Sequence, residues 1–142
     1  MNDKYKKNFD EWNGRKKHIE QNTLPDDFFF LEGEIWWASL GVNVGQEIDG
    51  KNESYERPVL IFKKFSDELS WVIPLSSTKK THKYFYPIIY QGKPKTLLLL
   101  HMKTISSKRL LRFVYRMKEK EFALIKTSVS DILSSINEIP SD

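Results

Sequence analysis

The sequence predicts a mainly β domain with a helix at each end of the chain, an α+β fold built on a small, strongly bent sheet or partly open barrel. Three observations predict it. Between Glu34 and Met117, about five to seven short runs of strand-type residues alternate with turn signals such as Phe65-Ser-Asp-Glu68 and Gln91-Gly-Lys-Pro94. Apolar residues recur at helical spacing only near the two ends. The chain of 142 residues is long enough for one core and, having no cysteine, must build it without disulfides or thiolate zinc sites.

Residues 1 to about 22 read as a charged helix, with Tyr5, Phe9, Trp12 and Ile19 near one stripe. Asn22-Thr-Leu-Pro25 ends it, because Pro25 disfavours helix at the residue before it. The expected layout is a helical extension over 1–24 lying on a main domain over 28–138. Phe28 to Phe30 leads into a strand from Glu34 to Leu40, in which Trp36 and Trp37 must face opposite sides. One Trp enters the core; the other needs a cover, expected to be the N-terminal helix ahead of a partner subunit or RNA.

Gly41 to Glu56 reads as a long loop or a hairpin with a mobile tip. Arg57 then sits where loop meets strand, and Pro58 fits the first position of a strand running to Lys63, where a missing N–H costs no ladder bond. A loop end is where scaffolds present chemistry, although a surface ion pair with Glu56 or Glu53 would also account for Arg57. A hairpin partner follows, with Leu69, Trp71, Ile73 and Leu75 on one face. After Ser76-Ser-Thr78 come a strand from Tyr84 to Tyr90, a buried strand from Thr96 to Met102, and a short turn or helical piece from Lys103 to Lys108. From Leu110 to Met117, Leu111, Phe113 and Tyr115 alternate with Arg112, Val114 and Arg116. A closing helix from about Lys118 to Ile136 aligns Phe122, Ile125, Val129, Ile132 and Ile136.

Charge is distributed unevenly. The net charge is +4, but residues 1–58 carry 8 Lys+Arg against 12 Asp+Glu, and residues 59–142 carry 15 against 7. Between Lys79 and Lys120 there are twelve basic residues and one acid, Glu119, interleaved with Tyr84, Phe85, Tyr86, Tyr90, Phe113 and Tyr115. A solvated face normally mixes signs, so this segment suggests a polyanion, with rings available for base stacking unless they are simply strand core. No helix-turn-helix or zinc-finger pattern is present, which favours RNA or a single strand over duplex DNA.

Most catalytic classes lack their parts. His18, His82 and His101 have no metal-ligand spacing, and the chain has no P-loop, no dinucleotide fingerprint and no Gly-x-Ser-x-Gly elbow. No metal or other cofactor is expected. The first residues show no apolar signal core, and runs such as Leu97–Leu100 are far too short to span a bilayer, so a soluble, cytoplasmic protein is expected. RNA cleavage remains possible, since RNA carries its own nucleophile in the 2′-OH and needs orientation, proton transfer and charge stabilisation by an Arg and a hydroxyl.

Gly33-Glu-Ile-Trp-Trp-Ala-Ser-Leu40, Val44-Gly-Gln-Glu47, Arg57-Pro-Val-Leu-Ile-Phe62, Ile73-Pro-Leu-Ser-Ser-Thr78, Leu99-Leu-His-Met-Lys-Thr-Ile105 and Lys108-Arg-Leu110 resemble, in order, the sequence blocks of PemK/MazF-like toxins of type II toxin–antitoxin pairs. The resemblance covers about residues 30 to 136. It implies an SH3-like small barrel of the CcdB/Kid/MazF type, with an extra N-terminal helix and a closing C-terminal helix, and a homodimer. It further implies a cognate antitoxin and a metal-independent ribonuclease that cuts single-stranded RNA, such as mRNA, leaving a 2′,3′-cyclic phosphate and a 5′-OH. Carried over by position, Arg57 matches the family's catalytic Arg, Ser76 a hydroxyl that helps hold the phosphate, and Glu47 an acid that orients Arg57 or assists proton transfer. Lys79, Lys80, Lys83, His101 and Lys103 are the expected RNA contacts. Two departures stand out: the loop from Glu47 to Arg57 is long, and an Arg and Asp that some members carry correspond here to Leu98 and Leu100. The rival reading on the same barrel is a binding module, either a catalytically silent RNA binder or a poison of a protein target, as CcdB-like toxins are of gyrase.

Overall fold

The computed structural model describes residues 6–51, 55–78 and 80–135. Tyr5, Glu53, Lys79 and Ile136, used above, lie outside them. Seven antiparallel strands follow one another: β1 (Glu34–Ser39), β2 (Glu56–Lys64), β3 (Leu69–Ser76), β4 (Phe85–Tyr90), β5 (Lys93–Leu98), β6 (Lys103–Ser106) and β7 (Leu110–Arg116). They are flanked by α1 (Phe9–Gln21) and α2 (Glu119–Ser134). The strand order is β4-β5-β3-β2-β1-β7, with β6 also on β3. This is the expected α+β fold, a small bent barrel with a helix at each end.

The bend comes from β3, which serves two sheets. Its first half pairs with β2 and β6, from Leu69↔Ser106 to Val72↔Lys103 on the β6 side. Its last residues pair instead with β5, as Leu75↔Leu97 and Ser76↔Thr96. The β2–β3 ladder ends at Val59↔Pro74, where Pro58 and Pro74 bring no N–H to extend it. Pro58 is therefore the third residue of β2 rather than its first, still paired to Trp37 of β1. The ladder stops beside it, so the missing donor costs nothing.

Both faces of β1–β3 are buried. Ile35, Leu60, Ile73 and Leu75 pack with Leu97 and with Ile125 and Val129 of α2, while Trp36, Ala38, Val59, Ile61 and Val72 pack with Phe30, Ile105 and Leu110. The expected face of β3 splits accordingly: Ile73 and Leu75 are core, but Leu69 and Trp71 are exposed, with Phe65 edge-on to Trp71. The expected strand from Thr96 to Met102 breaks at Leu98 into a 3-10 turn, Leu99–His101, and the piece from Lys103 is strand β6 before a second turn, Ser107–Arg109. In a run as uniformly apolar as Leu97–Leu100, periodicity carries no signal for that break.

Helix α1 starts at a reciprocal cap, with Asn8 Oδ1 accepting from Glu11 N–H and Asn8 Nδ2 donating to the Glu11 carboxylate, both at 3.0 Å. It docks through Trp12, which meets Tyr55 at 5.5 Å between ring centroids and lies flush on Gly41. Any Cβ at Gly41 would come within 2.0 Å of that indole, so only glycine permits the contact. Helix α1 thus covers Gly41 and Tyr55, not the second Trp. Trp37 is covered instead by Arg112, whose guanidinium lies 4.8 Å from the ring centroid.

Candidate active site

Where β3 leaves β2 for β5, a cleft of about 620 Å³ opens. Arg57 and Ser76 line it, together with Lys51, Trp37, Tyr90 and Phe113. Arg57 is 7% exposed. Its Nε–H donates to the carbonyl of Asp49 at 2.9 Å and its Nη1 to the carbonyl of Leu75 at 3.1 Å. Leu75 O is free for this because the β2–β3 ladder has already ended. A guanidinium has five N–H donors, and among the described residues these two bonds leave three for a ligand.

Among the described residues no carboxylate bonds to Arg57 directly. Its neighbour Glu56 is turned to β7, bidentate with Arg112 at 2.7 and 3.3 Å. The Asp49 carboxylate accepts from Asn43 N at 2.6 Å and pairs with Lys7 at 3.2 Å. Burial holds Arg57 below the usual arginine value, with Asp49 opposing. Burial, then Arg57 and Lys80, likewise push Lys51 and His101 below their usual values. Arg57, Lys51, Lys80 and His101 thus form one field that seeks an anion, in which His101 is neutral near pH 7.

The loop is held in register by its own contacts. Gly50 is pressed against the backbone of Tyr55, a built Cβ coming 1.6 Å from Tyr55 O, which brings Asp49 and Lys51 to the cleft. Ser76 is fully buried at the end of β3, and its Oγ lies 3.2 Å from Thr78 Oγ1. Thr96 Oγ1 fastens the next turn, donating to Thr78 O at 3.0 Å and accepting from Lys80 N at 2.9 Å.

The structure therefore brings Arg57 and Ser76 together, with Lys80 and His101 in electrostatic range. Glu47 is elsewhere: its exposed carboxylate accepts from Val44 N at 2.9 Å, folding back on its own loop. The loop residue that orients Arg57 is Asp49, through its backbone carbonyl. Lys83 lies by the Tyr84 ring between β4 and α2, and Lys103 belongs to a second cluster with Arg109 and Lys16. Asp49, Lys51 and the aromatic wall were missed by sequence reasoning. Asp49-Gly50 is a turn signature that could have flagged the loop's return.

Among the described residues no group of three or more His, Asp or Glu is placed to hold a metal, and no helix is long and apolar enough to cross a membrane. A model of PemK-like, MazF-like toxins of type II toxin–antitoxin systems matches residues 31–133. No curated protein matches the chain in sequence. Among solved structures, MazF from Deinococcus radiodurans is similar at TM-score 0.61 and 18% identity, over 76% of this chain and 99% of that one. An endoribonuclease in complex with its cognate antitoxin, from a mycobacterial species, is similar at TM-score 0.55 and 13% identity, over 80% and 100%. At such identities the likeness establishes the fold.

Proposed function

The chain belongs to the PemK-like, MazF-like toxins of type II toxin–antitoxin systems, and on that premise we propose that it is a metal-independent, sequence-specific endoribonuclease acting on single-stranded RNA. One observation carries the reading: a buried arginine, clamped by two backbone carbonyls and, among the described residues, bonded to no carboxylate, faces an open cleft beside a buried serine. Such a group is pre-oriented and desolvated, so its remaining donors gain most from the charge that develops on a phosphate in the transition state.

In this reading the scissile phosphate sits against Arg57 and Ser76. The 2′-oxygen of the preceding ribose forms a bond to phosphorus as the bond to the 5′-oxygen breaks. A proton leaves the 2′-OH and one is gained by the departing 5′-oxygen, giving a 2′,3′-cyclic phosphate and a 5′-OH without consuming water. Arg57 donates to the non-bridging oxygens, Ser76 adds a neutral donor, and Lys51 and Lys80 hold the flanking charge. His101 adds charge to this surface when protonated. Phe113, half exposed at the cleft, supplies a ring on which a base stacks. Glu47 acts indirectly, by shaping the loop that carries Asp49.

The accompanying partners are a cognate antitoxin and a second copy of this chain, in a cytoplasmic setting. The exposed Leu111 of edge strand β7 provides apolar surface for that copy. Incubation with mixed RNA in excess EDTA, followed by end mapping, tests the reaction. Cyclic phosphate and 5′-OH ends are expected; intact RNA, or cleavage that EDTA abolishes, contradicts it.

A further inference from the structure

A second cationic cleft lies away from Arg57. It occupies about 400 Å³ between α1 and the β6–turn segment, lined by Lys16, Lys17 and Glu20 on the helix and by Ser106, Lys108 and Arg109 opposite. Its width is set by rigid contacts. Lys108 Nζ donates to Glu20 O at 2.8 Å, tying the helix end to the turn. Arg109 donates to Ser39 O at 3.1 Å and stacks over Trp12 at 5.7 Å, so its guanidinium has one orientation. Glu20 is thereby engaged with Lys108, at 4.0 Å between charges, and Lys16, Lys17 and Lys103 have no ion pair among the described residues.

Like charges gathered in a half-buried cleft oppose folding unless an anion enters. Lys103 registers this: burial, then Arg109, push its ammonium below the usual lysine value, with Lys16 adding to the effect and Glu47 and Asp49 opposing it. Two positions before Lys103 in the chain stands His101, which feels Arg57 and Lys80. The Asp49 carbonyl accepts from Arg57 and the Asp49 carboxylate acts on Lys103, so the loop that carries Asp49 links the two cationic fields.

We propose that the cleft between α1 and β6 is a second phosphate subsite, in which Lys16, Lys17 and Arg109 hold a backbone phosphate of the same RNA strand whose scissile phosphate lies at Arg57. This rests on the ribonuclease reading. Helix α1 lies outside the residues that match the family model, so the subsite is an addition of this chain, lengthening the RNA it grips. Because phosphate contacts carry no base information, the subsite increases affinity for longer RNA without changing the sequence cut.

The test uses the full chain and 2′-O-methyl RNA of mixed sequence, which lacks the attacking hydroxyl. Lys16→Gln combined with Lys17→Gln should weaken binding of a long strand about tenfold and make the slope of log affinity against log salt shallower by about 0.7 per lost contact. Binding of very short oligonucleotides should be unchanged, and the thermal midpoint of the free protein should hold or rise, since repulsion is relieved. Wild-type affinity and slope in the double variant, on RNA that the unaltered protein binds, would overturn the subsite and leave the ribonuclease reading standing. Failure of the unaltered protein to bind or cut any RNA would overturn both. Weakened binding of poly-glutamate with unchanged RNA binding would overturn the subsite in favour of an acidic protein segment.

Discussion

Two arginines line one cleft and are treated in opposite ways. Arg112, on edge strand β7, is exposed, lies over Trp37 and is neutralised by Glu56. Arg57, on inner strand β2, is buried, bonds only to backbone carbonyls among the described residues, and is left with its charge unmatched. The Glu56 pair raises Arg112 above the usual arginine value, whereas burial lowers Arg57. A charge satisfied by a carboxylate is a structural part; a charge held in place by carbonyl dipoles and kept unpaired is poised for a ligand. Glu56 decides which is which, by pointing to β7.

The largest effect expected from breaking this contrast is on chemistry. Arg57→Ala should lower the single-turnover cleavage rate by about two to three powers of ten, as for loss of a preorganised donor, and Arg112→Ala by about tenfold at most. Equal losses in the two variants would erase the distinction. Ser76→Ala should cost about tenfold, because one neutral hydrogen bond contributes roughly 1 kcal/mol; a loss as large as that of Arg57→Ala would make Ser76 the principal group.

Arg112→Ala frees the Glu56 carboxylate beside Arg57, where it competes with phosphate. Its modest rate loss should therefore be recovered by adding Glu56→Gln, while stability falls by about 1 kcal/mol in urea denaturation, as expected for a half-exposed pair. A double variant no faster than Arg112→Ala would show that Glu56 does not compete.

The smallest effect concerns pH. His101 is held below the ordinary imidazole value by burial first, then by Arg57 and Lys80. Below about pH 6.5 the unfolded chain therefore binds more protons at this position than the folded one, and stability falls as pH falls. His101→Gln should lose less stability than the unaltered protein on acidification through that window, read from urea midpoints. Parallel losses would remove His101 from the cationic field.

The contrast also marks how far the sequence could be read. The Phe65–Glu68 turn and the Phe122-Ile125-Val129-Ile132 stripe report local packing and are where they were expected, whereas the alternation read for β3 describes only Ile73 and Leu75. Arg57 stood out at a loop end before a proline, whereas Ser76 was singled out by its match to the family's hydroxyl position; both line the one cleft. The exchange of β3 between two partners is non-local and has no periodic signature, so the cleft it opens, and the carbonyl of Leu75 it releases to Arg57, were not legible. Nor was the choice of Asp49 over Glu47: both are acids in one Gly-rich loop, and only the close approach of Gly50 to Tyr55 turns Asp49 toward Arg57. Trp12 was read as a helix stripe, but its seat on Gly41 depends on a contact between distant segments.

The most direct test of the central claim sets rate against affinity at Arg57. Single-turnover cleavage, and binding of a matching 2′-O-methyl RNA, are measured on the folded Arg57→Ala and Arg57→Lys proteins. Contacts that strengthen in the transition state predict a rate loss of about two to three powers of ten for Arg57→Ala with an affinity loss of less than about tenfold. Arg57→Lys should recover only part of the rate, since an ammonium lacks the fork that holds both carbonyls and the phosphate at once. A folded Arg57→Ala protein that cleaves at the unaltered rate, or that loses rate only in proportion to affinity, would contradict the assignment of Arg57 as the transition-state donor.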